Sequence, residues 1–298
     1  MTASQAEAAA GNLPRRSWSL RAVLVTSLLL FSLVPAATVG WFLYRSNLQS
    51  VQTLAEKTVD GVAQRMQVAT EEHVSQAHIV LNGLIHEQPN EAGVARARQL
   101  IQNPALFEQT AFAMTRMTPR VPQMVLATHR GEYLGIEAPT QGGNHATQVA
   151  VRKEGGQGRT FFAAEYAGDR RQKTGTETVN HEPRTRAWYQ GAMENKGRSF
   201  TAVAPSEAHN QLLITLSQPV YGVDGGALGV FAVDLHLARL KELLQTMVFS
   251  AHGTAFLLDE NGLLVANSTI DPLFSLADGK LERRRPMDSR NAVVRSAY

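Results

Sequence analysis

Residues 211–234 read Gln-Leu-Leu-Ile-Thr-Leu-Ser-Gln-Pro-Val-Tyr-Gly-Val-Asp-Gly-Gly-Ala-Leu-Gly-Val-Phe-Ala-Val-Asp. Two apolar-rich runs, Gln211–Tyr221 and Ala227–Asp234, flank the turn Gly222-Val223-Asp224-Gly225-Gly226, which predicts a β-hairpin. The pattern recurs along the chain. Met124–Ala127 and Tyr133–Ile136 flank His129-Arg130-Gly131-Glu132, and Gln148–Lys153 and Thr160–Tyr166 flank Gly155-Gly156-Gln157-Gly158. Thr254–Leu258 and Leu263–Asn267 flank Asp259-Glu260-Asn261-Gly262. Successive hairpins without intervening helices imply an antiparallel sheet, and helices at its edges make the class α+β. Those helices are predicted over 91–118, interrupted at Asn103-Pro104, and over Leu235–Met247, with Leu237, Leu240, Leu243 and Leu244 on one side.

Before the sheet comes a different kind of sequence. Between Arg21 and Arg45 lie 23 residues without a charge, Ala22–Tyr44. At ~1.5 Å per residue, a helix of that length reaches about 34 Å and spans a hydrocarbon core of roughly 30 Å. Trp41 and Tyr44 at one end, and Trp18 and Arg21 at the other, suit the membrane interfaces. Pro35 is tolerable in such a helix. Arg15, Arg16 and Arg21 precede the span and only Arg45 follows closely, so the N-terminus is expected in the cytoplasm and the bulk outside it. A cleaved signal peptide ending near Val34-Pro35-Ala36 is the rival reading. Apolar sequence continuing through Val39 to Tyr44 favours a retained anchor at the inner membrane.

Residues 45–88 hold no proline. Leu48, Val51, Ala55, Val62, Met66, Ala69, Ala77, Val80 and Leu84 recur at spacings of mostly three, four or seven, one face of a long helix. At ~1.5 Å per residue this stalk is about 66 Å long. It packs along its own domain, or pairs with a second subunit as a homodimer, or both. Gln52, Lys57, Arg65 and Glu71–Glu72 are expected to face water. His73 and His78 read as surface or satisfied residues rather than ligands. Pro89-Asn90 is expected to end the helix.

Composition removes several functions. There is no cysteine, hence no disulfide, thiol catalysis or thiolate metal site. A net charge of +3 without a dense basic run argues against nucleic acid as a partner. Hydrophobic residues make up 44% of the chain, enough for a sizeable core. Metal-ligand spacings, a nucleophile elbow and a phosphate-cradling loop are all absent from the sequence. No enzymatic role, cofactor or metal is expected of this chain.

One cluster carries chemistry: Glu182-Pro183-Arg184-Thr185-Arg186-Ala187-Trp188-Tyr189. Arginine offers a planar fork that matches a carboxylate, and the aromatic pair can wall a pocket. The plain alternative is a core tryptophan with arginines paired to surface acids.

With Gln218-Pro-Val-Tyr221 and Gly229-Val-Phe-Ala-Val-Asp234 added, the chain from about residue 45 onward resembles the double Cache family of bacterial extracytoplasmic sensor domains. The family's Asp-Pro-Arg-x-Arg-x-Trp-Tyr signature is matched at 183–189, with Glu182 in place of the aspartate. The resemblance implies a PAS-like membrane-distal lobe, residues 89–250, that binds a small ligand. A second, membrane-proximal lobe would be only begun, at 251–298. In amino-acid-binding members the signature arginine and tryptophan hold the ligand carboxylate and the strand-end aspartate holds its ammonium. The matching positions are Arg186, Trp188 and Asp234, with Tyr189 adjoining. His181 stands where those relatives carry tyrosine, and Gly197–Ala204 offers alanines where they carry further polar groups. The expected ligand is therefore a small carboxylate, not necessarily an α-amino acid. Arg184 is expected to be structural. The expected function is the sensing domain of a membrane-bound receptor. The alternative is a membrane-anchored periplasmic binding or scaffold protein. The weak, charged tail Lys280–Tyr298 suggests a fragment of a longer signalling protein.

Overall fold

A computed structural model describes residues 19–139, 146–206, 211–247, 253–277 and 280–297. The chain divides into two compact units, Met1–Ala63 and Gln64–Tyr298. In the first, the described residues form the leading part of a single helix, α1 (Leu20–Leu84). Its segment Leu24–Asn47 is long and apolar enough to cross a membrane, with a mean hydropathy of 1.8 and none of it buried. Pro35 lies inside α1 without ending it. The hydroxyls of Ser32 and Thr38 donate to the carbonyls of Leu29 and Pro35, at 3.2 and 2.8 Å, so neither needs water. Arg15, Arg16 and Trp18 lie outside the described residues, as do the side chains of Leu48, Val51, Gln52 and Ala55.

In the second unit, α1 buries Met66, His73, Ala77, Val80, Leu81 and Leu84. From Met66 onward this is the predicted stripe with Leu81 and His73 added and Ala69 only half-buried. His73 is satisfied rather than superficial: its Nε2 lies 2.9 Å from the His236 carbonyl oxygen. The helix stops at Leu84, ahead of Pro89, because the carbonyls of Ile85 and His86 are taken by the Arg198 and Gln218 side chains. Helices α2 (Glu91–Gln102) and α3 (Pro104–Met117) follow. Asn103 ends the first and caps the second, accepting from the Leu106 N–H at 3.3 Å.

The antiparallel strands are β1 (Gln123–Thr128), β2 (Tyr133–Glu137), β3 (Thr147–Arg152), β4 (Thr160–Ala164) and β5 (Gln172–Thr176). Helix α4 (Ala187–Asn195) intervenes before β6 (Ser199–Phe200), β7 (Ala204–Ser206), β8 (Gln211–Tyr221) and β9 (Ala227–His236). They form one sheet in the order β5-β4-β3-β2-β1-β9-β8-β6, with β7 also on β8. The fold is α+β. Three predicted hairpins are present, while β5, β6 and β7 had no apolar signal. Helix α5 spans Ala238–Met247, later than expected, because Leu235 and His236 stay in β9 opposite Ile214 and Leu213. The last predicted hairpin is β10 (Phe256–Leu258) with β11 (Leu264–Asn267). Beyond it, β12 (Phe274–Ala277) pairs with β13 (Lys280–Arg283), and α6 (Ala292–Ser296) ends the described chain.

Alternation along the strands sorts the sheet into two faces. One carries large apolar residues, among them Met124, Leu126, Ile136, Phe231, Val233 and Leu235, packed with those of α1, α2 and α3. The other carries small ones, Val125, Ala127, Ala150, Val230 and Ala232, covered by Trp188 and Tyr189. Gly229 permits the close approach of β1 and β9: a Cβ there would stand 2.1 Å from the Ala127 carbonyl oxygen. The β1 backbone at Ala127 and Thr128 cannot yield, so Gly229→Ala should destabilise the domain by at least about 2 kcal/mol. Urea unfolding followed by tryptophan fluorescence measures this; an unchanged midpoint would contradict it.

Candidate functional site

On the small-residue face, cross-strand pairing lines up a polar row: Gln148 on β3, Glu137 on β2, Gln123 on β1, Asp234 on β9 and Thr215 on β8. The next row along the strands is Phe161, Ala150, Gly135, Val125 and Ala232, small enough at its centre to form a floor. Gly135 is required there, since a Cβ would meet the Tyr133 hydroxyl at 2.7 Å. Over this surface lies a cavity of about 350 Å³, closed on its other side by Arg159, Glu177, His181, Arg186 and Trp188. That volume falls in the range of about 300–1,000 Å³ usual for small-molecule sites.

The signature segment forms the upper wall through local ion pairing. Glu182 accepts from the Arg184 backbone N–H at 3.2 Å and opens a single turn, Pro183–Thr185. Its carboxylate holds the Arg184 guanidinium at 2.7 Å and that of Arg152 at 3.0 Å. The hydrogen bonds from Arg184 hold its pKa down to about 2. Arg184 also donates to the His129 carbonyl at 3.1 Å, so it ties the segment to the β1–β2 turn and stays out of the cavity. Arg186 occupies the N-cap position of α4 without a side-chain cap. Its Nη2 reaches His181 Nδ1 at 3.2 Å, and among the described residues no carboxylate stands within ion-pair distance of it. Trp188 lines the cavity and packs on both small apolar clusters, so it is wall and core together. Its carbonyl accepts from the Ser217 hydroxyl at 2.7 Å.

The cavity brings four sequence-predicted residues together: His181, Arg186, Trp188 and Asp234. Tyr189 does not join them. A helical step of about 100° turns it from Trp188, and it is buried against Ala127, Ala192 and Val230 instead. Asp234 accepts from the Thr215 hydroxyl at 2.6 Å. Residues that sequence reading missed include Tyr133, Arg159, Glu177 and Glu137. Arg159 and Glu177 form a two-point pair, 2.7 and 3.0 Å, that joins the start of β4 to the end of β5. Arg159 also lies over the Tyr133 and Phe161 rings, 5.2 Å from each centroid. Polar residues at alternating positions of β1 and β2 (Gln123; Tyr133 and Glu137) were the available signal.

His181 is 7% exposed, and burial, then the charges of Arg159 and Arg186, push its pKa down to about 4. It is therefore neutral at pH 7. A guanidinium only donates, so Nδ1 is the acceptor and the ring proton sits on Nε2. That nitrogen is buried without a hydrogen-bond partner. Because the folded value lies below the ordinary 6.5, the unfolded chain binds the extra proton. The His181 contribution is fully present above pH 6.5 and is lost as pH falls from there to about 4. At most about 3 kcal/mol is involved. Urea unfolding at pH 7, 5.5 and 4.5 should show a shallower loss for His181→Gln than for the parent; equal slopes would contradict this.

Residues 144–242 match the family described as methyl-accepting chemotaxis protein-like, first PDC sensor domain. The methyl-accepting chemotaxis protein McpA of Pseudomonas putida is 34% identical over 94 residues, which are 31% of this chain and 14% of that protein. PscA of Pseudomonas syringae pv. tomato, also a methyl-accepting chemotaxis protein, is 26% identical over 93 residues, 31% of this chain and 15% of that one. The chain thus matches about one seventh of the length of these curated relatives. The ligand-binding domain of the Campylobacter jejuni chemoreceptor Tlp3, solved with L-norvaline, superimposes with a TM-score of 0.45 at 18% identity, over 73% of this chain and 70% of that one.

Proposed function

We propose, from the match of residues 144–242 to the first PDC sensor domain of chemotaxis-type receptors, that the chain is the Cache-type ligand-sensing input of a membrane-bound bacterial signalling receptor. The ligand is a small carboxylate. The observation that carries this reading is the Arg186 guanidinium at the wall of a cavity of about 350 Å³, with no carboxylate at ion-pair distance among the described residues. An exposed guanidinium at a cavity wall, without a counter-charge among the described residues, can take an anionic ligand, and its planar fork fits a carboxylate by two hydrogen bonds. Asp234, across the cavity on β9, suits an ammonium group if the ligand has one.

In this reading residues 22–44 contact lipid as the anchor, with the N-terminus cytoplasmic. Residues 89–250 are the ligand-binding lobe, and 251–298 begin a second. Two copies of the chain pair along α1. Signalling requires the ligand to favour one of two arrangements of the receptor. A thermal-shift screen of the full chain in nanodiscs against small mono- and dicarboxylates tests the proposal. Quenching or enhancement of Trp188 emission serves as a second readout. Stabilisation by at least one carboxylate is expected, and its complete absence across a broad panel would overturn the reading.

A further inference from the structure

Tyr133 on β2 lines the cavity and is 4% exposed. Its side chain leans along the strand over Gly135, where a Cβ would stand 2.7 Å from the phenolic oxygen. Two neighbours fix the ring. It meets the His181 ring edge-on, 5.2 Å between centroids, and the Arg159 guanidinium lies 5.2 Å from its centroid. Arg159 is itself held by its two-point pair with Glu177, so the hydroxyl sits in a rigid setting.

Two donors point at the phenolic oxygen, Gln123 Nε2 at 3.3 Å and Arg159 Nη1 at 3.4 Å. A guanidinium only donates, and the Gln123 amide presents its nitrogen, so Tyr133 accepts from both. Its own O–H turns away from them, and among the described residues no acceptor stands within hydrogen-bond distance of it. Burial pushes the phenol above its ordinary pKa of 10, so the proton is present at pH 7. Gln123, Gly135 and Arg159, the groups around this oxygen, all line the cavity, and the O–H therefore serves the space that a ligand fills. An alkyl chain seated there would exclude water and leave a buried donor unpaired, whereas an oxygen acceptor would complete the bond.

We infer that Tyr133 is a ligand-binding residue whose hydroxyl donates to a second oxygen of the ligand, a carbonyl or carboxamide oxygen carried apart from the carboxylate. The cavity thereby selects oxygen-bearing carboxylates over plain alkyl ones. This rests on the carboxylate reading of Arg186. Both groups touch His181, Arg186 at Nδ1 and Tyr133 through its ring, so they are neighbours across one imidazole, a span that a small molecule covers. Tyr133 lies outside the 182–189 signature, on a strand that signature does not include.

Titration calorimetry of the full chain in nanodiscs at pH 7 tests this with two matched pairs. One is 5-oxohexanoate with hexanoate, and the other is L-glutamine with L-norleucine. The oxygen-bearing member of at least one pair should bind at least about fivefold more tightly than its alkyl partner. Tyr133→Phe keeps the ring and should bring that ratio to about one or below. Tyr189→Phe, a buried tyrosine packed on Ala127, Ala192 and Val230 outside the cavity, should preserve it. Ratios near one for both pairs in the parent, or an unchanged ratio in Tyr133→Phe, would overturn the inference, while binding of hexanoate or norleucine upholds the carboxylate reading. The parent ratios stand whether or not Tyr133→Phe folds. A fifth probe, 2-hexanone, lacks the carboxylate. Its binding as tightly as 5-oxohexanoate, and dependent on Tyr133, would uphold the hydroxyl as donor and overturn the carboxylate reading. Binding of no probe would overturn the inference, and the carboxylate reading is then judged by its own panel.

Discussion

Arg186→Ala should weaken carboxylate binding by at least about a hundredfold, with little change in the stability of the domain. Two charge-assisted hydrogen bonds to a carboxylate are lost, and truncating one partner of such a desolvated pair typically costs about 2–5 kcal/mol. The fold should tolerate the change. Arg186 is exposed, and its side chain makes no cap for α4. Its contact among the described residues is with His181, a neutral ring. Arg184→Ala is the matched control, since that guanidinium is occupied by Glu182 outside the cavity and its loss should alter affinity by less than about threefold. Arg186→Lys should recover only part of the affinity, because an ammonium cannot present the fork. Calorimetry with any carboxylate that binds the parent chain distinguishes these cases. Full affinity in Arg186→Ala would remove the basis of the proposed function.

The largest effect on stability is expected at Arg198. Its side chain is 3% exposed and makes four contacts: Gln218 Oε1 at 2.9 Å, Asn82 Oδ1 at 2.8 Å, the Ile85 carbonyl oxygen at 2.9 Å and His78 Nδ1 at 3.2 Å. Gln218, held by Arg198, in turn donates to the His86 carbonyl at 2.8 Å. One guanidinium thus secures the end of α1, whose last carbonyls have no helical partner, against β8. Burial pushes its pKa down, and among the described residues only Glu87, at 3.9 Å, stands nearby as a counter-charge. Arg198→Met keeps much of the volume but strands the Ile85 carbonyl, the Asn82 amide oxygen and Gln218 together. Leaving several buried polar groups unpaired is expected to cost about 3–5 kcal/mol. Urea unfolding gives the magnitude. Amide hydrogen exchange should also show residues 80–86 opening more readily than the sheet. A loss below about 1 kcal/mol would mean that water replaces the guanidinium without penalty.

The site shows where linear reading succeeds and where it stops. Arg186 and Trp188 were legible because they lie two residues apart in one signature, at a proline-fixed entry to a helix. Asp234 was legible only through the resemblance, which matches it to the strand-end aspartate of the family. Tyr189 was placed with them by adjacency alone, and the helical turn sends it into the core. Arg159 and Glu177 meet only because β4 and β5 pair, and β5 carries polar residues with no strand signal. Glu137 and Asp234 are nearly a hundred residues apart in sequence yet share a row, because β1 lies between their strands.

Local signals alone determined the apolar span at Ala22–Tyr44, the long helix after it, and the hairpins that make the domain α+β. Hydropathy and period act within a few turns or a few residues, and turn residues need no distant partner. Tertiary structure decided what those signals could not carry. It ended α1 at Leu84 through Arg198 and Gln218, turned His73 into a buried hydrogen-bonded residue, and set which acids and cations face one another across the cavity. These outcomes depend on strand order and register, and both follow from burying the whole large-residue face of the sheet at once rather than from any segment by itself.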